Sequence, residues 1–65
     1  MATTTFYRDP TAVQAAQRMA ARGSAGDPAC SMSYAGQFDE SDVPARAQGK
    51  RVGVGTAGGY VCLIF

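Results

Sequence analysis

The chain has 65 residues, a formal net charge of +1 and 17% charged residues. This length gives at most one domain, and folding would bury only about 60% of the surface of the unfolded chain. Six Lys and Arg residues nearly balance five Asp and Glu residues, which excludes a strongly basic surface for nucleic acid, and no stretch approaches the roughly 18 apolar residues of a membrane-spanning helix.

The first elements in the chain are a short β-prone arm and a helix. Residues 2–7 combine Thr and aromatic side chains, which favour an extended arm or an edge strand. The helix is predicted from about Pro10 to Arg22, because Asp9 is a favourable N-cap and Pro10 suits the first helical position. Gly23 is typical of a residue that follows a helix end.

The predicted helix is amphipathic, and its apolar face consists almost entirely of small residues. At 100° per residue this face includes Ala12, Val13, Ala15, Ala16, Met19 and Ala20, opposite Gln14, Gln17, Arg18 and Arg22. An Ala face permits a close approach to another surface but contributes little burial energy per residue. It either covers the chain's own sheet or docks on a partner, and the residues predicted to bind a partner are Ala12, Ala16, Met19 and Ala20.

Residues 23–36 are rich in Gly and Ser and contain one Asp-Pro pair, so this segment is predicted to be irregular. Within it, Met32 and Tyr34 lie two residues apart and are expected to face the same side. An acidic group follows at residues 39–42. Ser41 or Asp42 is a candidate cap for a short helical turn over residues 43–46.

The C-terminal residues predict a β-hairpin. Residues 50–55 alternate as a strand weakened by glycine, residues 56–59 suit a turn in a loop of four or five residues, and residues 60–65 contain the only Leu and the only Ile in the chain. The predicted fold is a small, irregular α+β domain with one Ala-rich helix at about 10–22, a long loop, a C-terminal hairpin or strand at about 50–65 and little regular structure. Residues 1–65 are expected to form a single small domain or a partner-dependent subunit.

The last strand places apolar side chains on both of its faces. Tyr60, Cys62 and Ile64 lie on one face, and Val61, Leu63 and Phe65 lie on the other. One helix can cover only one of these faces. We therefore expect this strand to pair at least partly across a chain boundary, and its predicted partner-binding residues are Tyr60, Val61, Leu63, Ile64 and Phe65.

Two cysteines, Cys30 and Cys62, allow either a disulfide or two free thiols. A disulfide would stabilise the fold by roughly 3 to 4 kcal/mol in the chain-entropy model. The last four residues also match a C-a-a-X box, which suggests an alternative function as a peripheral membrane protein with a lipid anchor on Cys62.

The sequence predicts no catalytic, cofactor or metal site. There is no His, so neither Cys has its usual base, and the acids at 39, 40 and 42 lack the spacing of a calcium-binding loop. The G-x-G-x-x-G pattern at residues 53–58 is followed by only seven strand-like residues, whereas a dinucleotide site needs a helix there. We therefore expect a protein that is not an enzyme and has no cofactor and no small-molecule substrate.

The chain has few large apolar side chains, because Val, Leu, Ile and Phe together number ten. This is about 15% of the chain, below the roughly 20% at which independent folding becomes doubtful. The predicted function is a small structural or accessory subunit that docks on a larger protein or on further copies of itself, without nucleic acid and with no expected membrane association. The first eight residues do not resemble a secretory signal, which favours an intracellular location.

Overall fold

In the computed structural model, which describes residues 3–65, one helix packs against a four-stranded mixed sheet. The elements are β1 (Thr5–Arg8), α1 (Pro10–Arg22), β2 (Met32–Ala35), β3 (Arg51–Ala57) and β4 (Tyr60–Ile64), with short 3₁₀ turns at Glu40–Asp42 and Ala45–Ala47. The predicted α+β class with one helix and a C-terminal hairpin is confirmed.

Helix α1 begins and ends at the predicted residues. The Asp9 carboxylate accepts a hydrogen bond from the Thr11 N–H at 2.9 Å, which satisfies one of the free donors of the first turn. Gly23 adopts a left-handed conformation with φ of 74°, and its N–H donates to the Met19 carbonyl at 2.8 Å. This C-terminal geometry favours glycine, because a side chain would be strained at positive φ.

The strand order in the sheet is β1-β3-β4-β2. Strand β1 runs parallel to β3, and the β3-β4 and β4-β2 pairs are antiparallel. Strand β4 is therefore central, and strands of the same chain occupy both of its edges. The prediction that this strand pairs across a chain boundary is wrong, because β2 and β3 already satisfy its backbone groups.

Strand β2 lies within the segment that was predicted to be irregular, and this part of the prediction is wrong. Its four residues pair with β4 from Met32 opposite Leu63 to Ala35 opposite Tyr60. The Gly36 N–H extends the pairing by donating to the Gly59 carbonyl at 2.7 Å. Met32 and Tyr34 share one face of the sheet, as their spacing predicted. Cross-strand pairing thus overrides the weak local preference of a segment rich in Gly and Ser.

The β3-β4 connection is a two-residue turn rather than the predicted loop of four or five residues. Gly58 and Gly59 have φ values of 55° and 81°, which are typical of a type I′ hairpin turn. This turn matches the twist of the flanking strands, so β3 continues to Ala57 and β4 starts at Tyr60. At the other end of the chain the predicted arm forms β1 at the sheet edge, and Ala2, which that prediction included, lies outside the described residues.

Each face of the sheet has its own small core. On the helix face the buried residues are Ala12, Ala15, Ala16, Met19 and Cys62. On the opposite face they are Val43, Ala47, Val52, Val61 and Leu63, flanked by partly buried side chains that include Phe6, Met32, Tyr34, Phe38, Val54 and Phe65. Residues of the β2-β3 connection therefore cover the face of β4 that the helix does not reach.

The β2-β3 connection contains two 3₁₀ turns in place of the single turn predicted at residues 43–46. Asp39, rather than Ser41 or Asp42, caps the first turn, and its carboxylate accepts the Ser41 N–H at 2.8 Å. The second turn follows Pro44. The break between them places Val43 against the sheet, where it is 9% exposed.

The helix lies closest to the sheet at Gly55. A Cβ atom added there would overlap the backbone of Ala12 and Val13, so the glycine is required by the helix above it rather than by its own conformation. Gly53 has a related role, because a Cβ atom there would lie 2.6 Å from the Asp9 Oδ2 atom. The Ala face of the helix and the Gly face of β3 thus allow a close contact between their backbones.

We expect the Gly55→Ala substitution to reduce the free energy of unfolding by about 3 kcal/mol, since a backbone rather than a flexible side chain must move. Denaturant titration followed by circular dichroism measures this change. Thr56→Ala is the matched control at the neighbouring exposed position and should change the stability by no more than about 0.5 kcal/mol. Equal stability of the two variants would contradict the close helix-sheet contact.

Candidate functional site

Cys30 and Cys62 form a disulfide that joins the segment before β2 to the central strand. The two residues are 32 positions apart and their Cα atoms are 5.5 Å apart. Cys62 is fully buried under the helix, and Cys30 packs against the same cluster. Of the two alternatives that the sequence left open, the structure contains the disulfide.

An ion pair holds the α1-β2 connection on the helix beside this disulfide. Arg18 contacts both carboxylate oxygens of Asp27 at 2.9 Å, and the Ala29 N–H donates to the same carboxylate at 3.0 Å. The Asp27 side chain is only 2% exposed, whereas Arg18 is 52% exposed. The hydrogen bonds from Arg18 and then from Ala29 lower the pKa of Asp27 to about 2.

Reduction of the disulfide should cost roughly 3 to 4 kcal/mol of stability, because the unfolded chain regains the freedom of a long loop. The measurement is the denaturation midpoint with and without dithiothreitol. A double variant, Cys30→Ala with Cys62→Ala, is the control and should show no response to the reductant. If the natural chain were equally stable in both conditions, this contribution would be ruled out.

Because the ion pair with Arg18 lowers the pKa of Asp27, we expect the protein to lose stability in acid. Its folded pKa is below the value near 4 of an unfolded Asp, so its contribution is complete above about pH 4 and is lost as the pH falls towards 2. Melting temperatures recorded between pH 2 and 5 should fall less steeply for Asp27→Asn than for the natural chain. Asp39 should account for part of the remaining slope, since hydrogen bonds from Ser41 lower its pKa as well. Parallel curves for the natural chain and Asp27→Asn would argue against the ion pair.

The nine predicted partner-binding residues fall into a buried group and a partly exposed group. Ala12, Ala16, Met19, Val61 and Leu63 have no exposed surface, because they form the two cores. Ala20, Tyr60, Ile64 and Phe65 are partly exposed. Docking of this second group on a partner stays a prediction.

Two of the three acids in the β2-β3 connection, Asp39 and Asp42, are hydrogen-bonded within the chain. Besides the capping role of Asp39, the Asp42 carboxylate accepts a hydrogen bond from the Tyr34 hydroxyl at 3.1 Å. Burial of the ring raises the pKa of Tyr34 to about 12, and the hydrogen bond to Asp42 acts in the same direction. Asp39 therefore stabilises the first 3₁₀ turn, and Asp42 joins this connection to β2 through Tyr34.

Sequence reasoning missed a groove at the β1 edge of the sheet, and this groove is the candidate site. Strand β3 has seven residues, but β1 pairs only with its first four, Arg51 to Val54. The chain then leaves the sheet plane to enter α1. A groove of about 350 Å³ lies at this position, lined by Phe6, Tyr7, Arg8, Val13, Phe38, Val54 and Thr56.

Backbone groups are free along this groove. The Asp9 N–H donates to the Val54 carbonyl at 3.1 Å, and this is the last bond between the β1 segment and β3. The Asp9 carbonyl accepts the Val13 N–H of the helix at 2.9 Å and makes no hydrogen bond to Thr56. Since alternate residues of β3 point towards β1, the backbone N–H and C=O of Thr56 face the groove without a partner among residues 3–65.

Strand β1 also has an open outer edge. Thr5 donates its N–H to the Lys50 carbonyl just before β3, and Asp9 donates to the Val54 carbonyl. The alternation of a strand therefore turns the backbone groups of Phe6 and Arg8 away from the sheet. The Phe6 ring packs edge-on against Phe38, with centroids 5.5 Å apart. The groove thus combines open backbone groups with an aromatic wall.

Cations flank the β1 edge on both faces. The Arg51 guanidinium lies 4.7 Å from the centroid of the Tyr7 ring, which is 37% exposed. Arg8 is exposed and lines the groove. In the described part of the chain the only ion pairs are those of Arg18 and Arg22 with Asp27, so the charge of Arg8 is not neutralised.

Two motifs singled out in the sequence, the glycine pattern at residues 53–58 and the C-terminal C-a-a-X box, have structural roles in this fold. Gly53 and Gly55 of the G-x-G-x-x-G pattern lie under the helix, and Gly58 forms the hairpin turn. The Cys62 sulfur, which a C-terminal lipid would need, is bonded to Cys30. Within residues 3–65 no group of three or more metal-ligating side chains is close enough to hold an ion.

No helix in the described part of the chain has the length and apolar character needed to cross a membrane.

Comparison of the chain with family models, with curated proteins and with solved structures gave no match.

Proposed function

We propose that this protein is a small, non-catalytic accessory subunit that docks on a larger protein through an edge of its sheet. The observation that supports this proposal is the contrast between covered faces and open edges. Both faces of β4 are buried within the chain, whereas β1 and β2 each pair on one side only. Unpaired backbone groups of an edge strand bind most readily to another extended polypeptide.

The fold is suited to hold such an edge in place. The disulfide ties the segment before β2 to β4, and the ion pair of Arg18 with Asp27 ties the same segment to the helix. A rigid edge loses little conformational entropy on binding, which favours affinity. The disulfide also favours an oxidising compartment over the intracellular location that the N-terminal residues suggested.

Proline substitutions at outward-facing edge positions provide a test, because they remove one donor without breaking a bond of the sheet. Arg8→Pro blocks the β1 edge. Ala35→Pro blocks the β2 edge. The Gly36 N–H is hydrogen-bonded to the Gly59 carbonyl beside β4, so the N–H of the adjacent residue, Ala35, faces outward. We expect one of the two variants to weaken assembly with the partner by tenfold or more and the other to leave it unchanged.

The measurement starts from the tagged, disulfide-intact protein in its native extract. Sedimentation shows whether it is part of a larger complex, and the companion chain is then identified. Assembly of each variant is measured by reconstitution from the two purified components. Gln17→Ala, on the exposed face of the helix, is the control for nonspecific effects. Circular dichroism of each variant checks that the fold is intact. Recovery of the natural chain only as a monomer, or full assembly of both proline variants, would contradict docking through an edge.

A further inference from the structure

We propose that the groove between β1 and the end of β3 binds an extended peptide segment of the partner that presents a large apolar side chain and, two residues away, a carboxylate. This inference rests on the proposed function and adds the edge that is used and the chemistry of the partner. It is independent of the residues that the sequence predicted for docking, none of which lines the groove.

The backbone groups of the groove define the form of the ligand. Thr56 offers one N–H donor and one C=O acceptor at the place where β1 no longer covers β3. An extended segment laid beside Thr56 satisfies both groups by continuing the strand position that β1 leaves. A donor and an acceptor on one strand residue pair with a main chain rather than with an isolated side chain.

The walls of the groove define one side chain of the ligand. Phe6, Phe38 and Val54 belong to the apolar layer on the face opposite the helix, and Val13 closes the groove from the helix side. A volume of about 350 Å³ is at the lower end of the range for ligand pockets. It suits one large apolar side chain, and Phe6 and Phe38 favour an aromatic ring there.

Arg8 defines the second side chain. It lies two residues after Phe6 in β1, and alternate residues of a strand share a face, so the guanidinium is on the same side of the sheet as the aromatic wall. An extended ligand has the same periodicity. Its carboxylate therefore reaches Arg8 when it follows or precedes the buried apolar residue by two positions.

The β2 edge is less suited to this ligand. The groove beside it, of about 330 Å³, is lined by Met32, Tyr34, Ala35, Gly36, Gln37 and Asp42, and the acid there is already bonded to the Tyr34 hydroxyl. No cation lines it. Charge complementarity thus assigns an acidic peptide to the β1 edge rather than to the β2 edge.

The test uses the disulfide-intact chain labelled with ¹⁵N and three synthetic peptides, acetylated and amidated at their ends. Thr-Phe-Thr-Glu-Thr is the probe, Thr-Phe-Thr-Gln-Thr removes the carboxylate, and Thr-Ala-Thr-Glu-Thr removes the aromatic ring. We expect saturable amide shifts centred on Phe6, Val54 and Thr56. Affinity should fall about tenfold with either altered peptide, because each loses a charge-assisted contact or a buried ring.

Arg8→Gln should abolish the difference between the Glu and Gln peptides. Lys50→Gln, which makes the same change in net charge at another exposed cation, should preserve that difference and controls for long-range electrostatics. No saturable shift, or shifts centred on β2, would overturn the proposal. The proposal would also be overturned if the chain alone sedimented as a dimer and dimer formation shifted the same amide signals, because the groove would then hold a second copy.

The outcome separates this inference from the proposed function. If Ala35→Pro blocks assembly with the partner and Arg8→Pro does not, docking through an edge stands and the peptide groove is refuted. If Arg8→Pro blocks assembly and the Glu peptide competes with the partner, both are supported. A chain that neither assembles nor binds the peptide contradicts both.

Discussion

The structure depends on the central position of β4, which is paired at both edges and covered on both faces. Val61, Cys62 and Leu63 have no exposed surface, and they lie in the strand that contains the chain's only Leu and Ile. A strand of this kind is an aggregation hazard if its edges are open. The helix, the β2-β3 connection and the two flanking strands each remove one part of that exposure, so the remaining architecture follows from the need to enclose this strand.

The helix and the sheet are in close contact but bury little apolar surface, and the disulfide compensates for the small stabilisation that results. Gly55 lies directly under the helix backbone, and the helix face above the sheet consists mainly of Ala. Small residues on both sides allow tight packing, but they remove little apolar surface from water. The bond from Cys30 to Cys62 acts mainly on the unfolded chain, which it constrains, and so adds stability that does not require large side chains.

The candidate site arises from unequal strand lengths at one edge. β1 ends because Asp9 must cap the helix, and its carbonyl serves the first helical hydrogen bond instead of Thr56. The same residue therefore ends the edge strand and starts the helix, and the space that remains becomes a groove. Open backbone groups, three aromatic side chains and an Arg8 without an ion-pair partner among the described residues line this groove. The proposed ligand is therefore an acidic, extended peptide rather than a small metabolite.

The sequence by itself determined the elements whose signals are local. Asp9, Pro10 and Gly23 define the helix ends, and alternation assigns the two faces of β4 correctly. The glycines at 58 and 59 indicate a turn between the last two strands, although the predicted loop of four or five residues is longer than the observed turn of two. Only the tertiary structure decided that residues 32–35 form a strand, that Cys30 meets Cys62, and that β1 lies parallel to β3 in a register that leaves Thr56 open. These features depend on contacts between residues 25 or more positions apart, and a local pattern of side chains contains no information about such pairings.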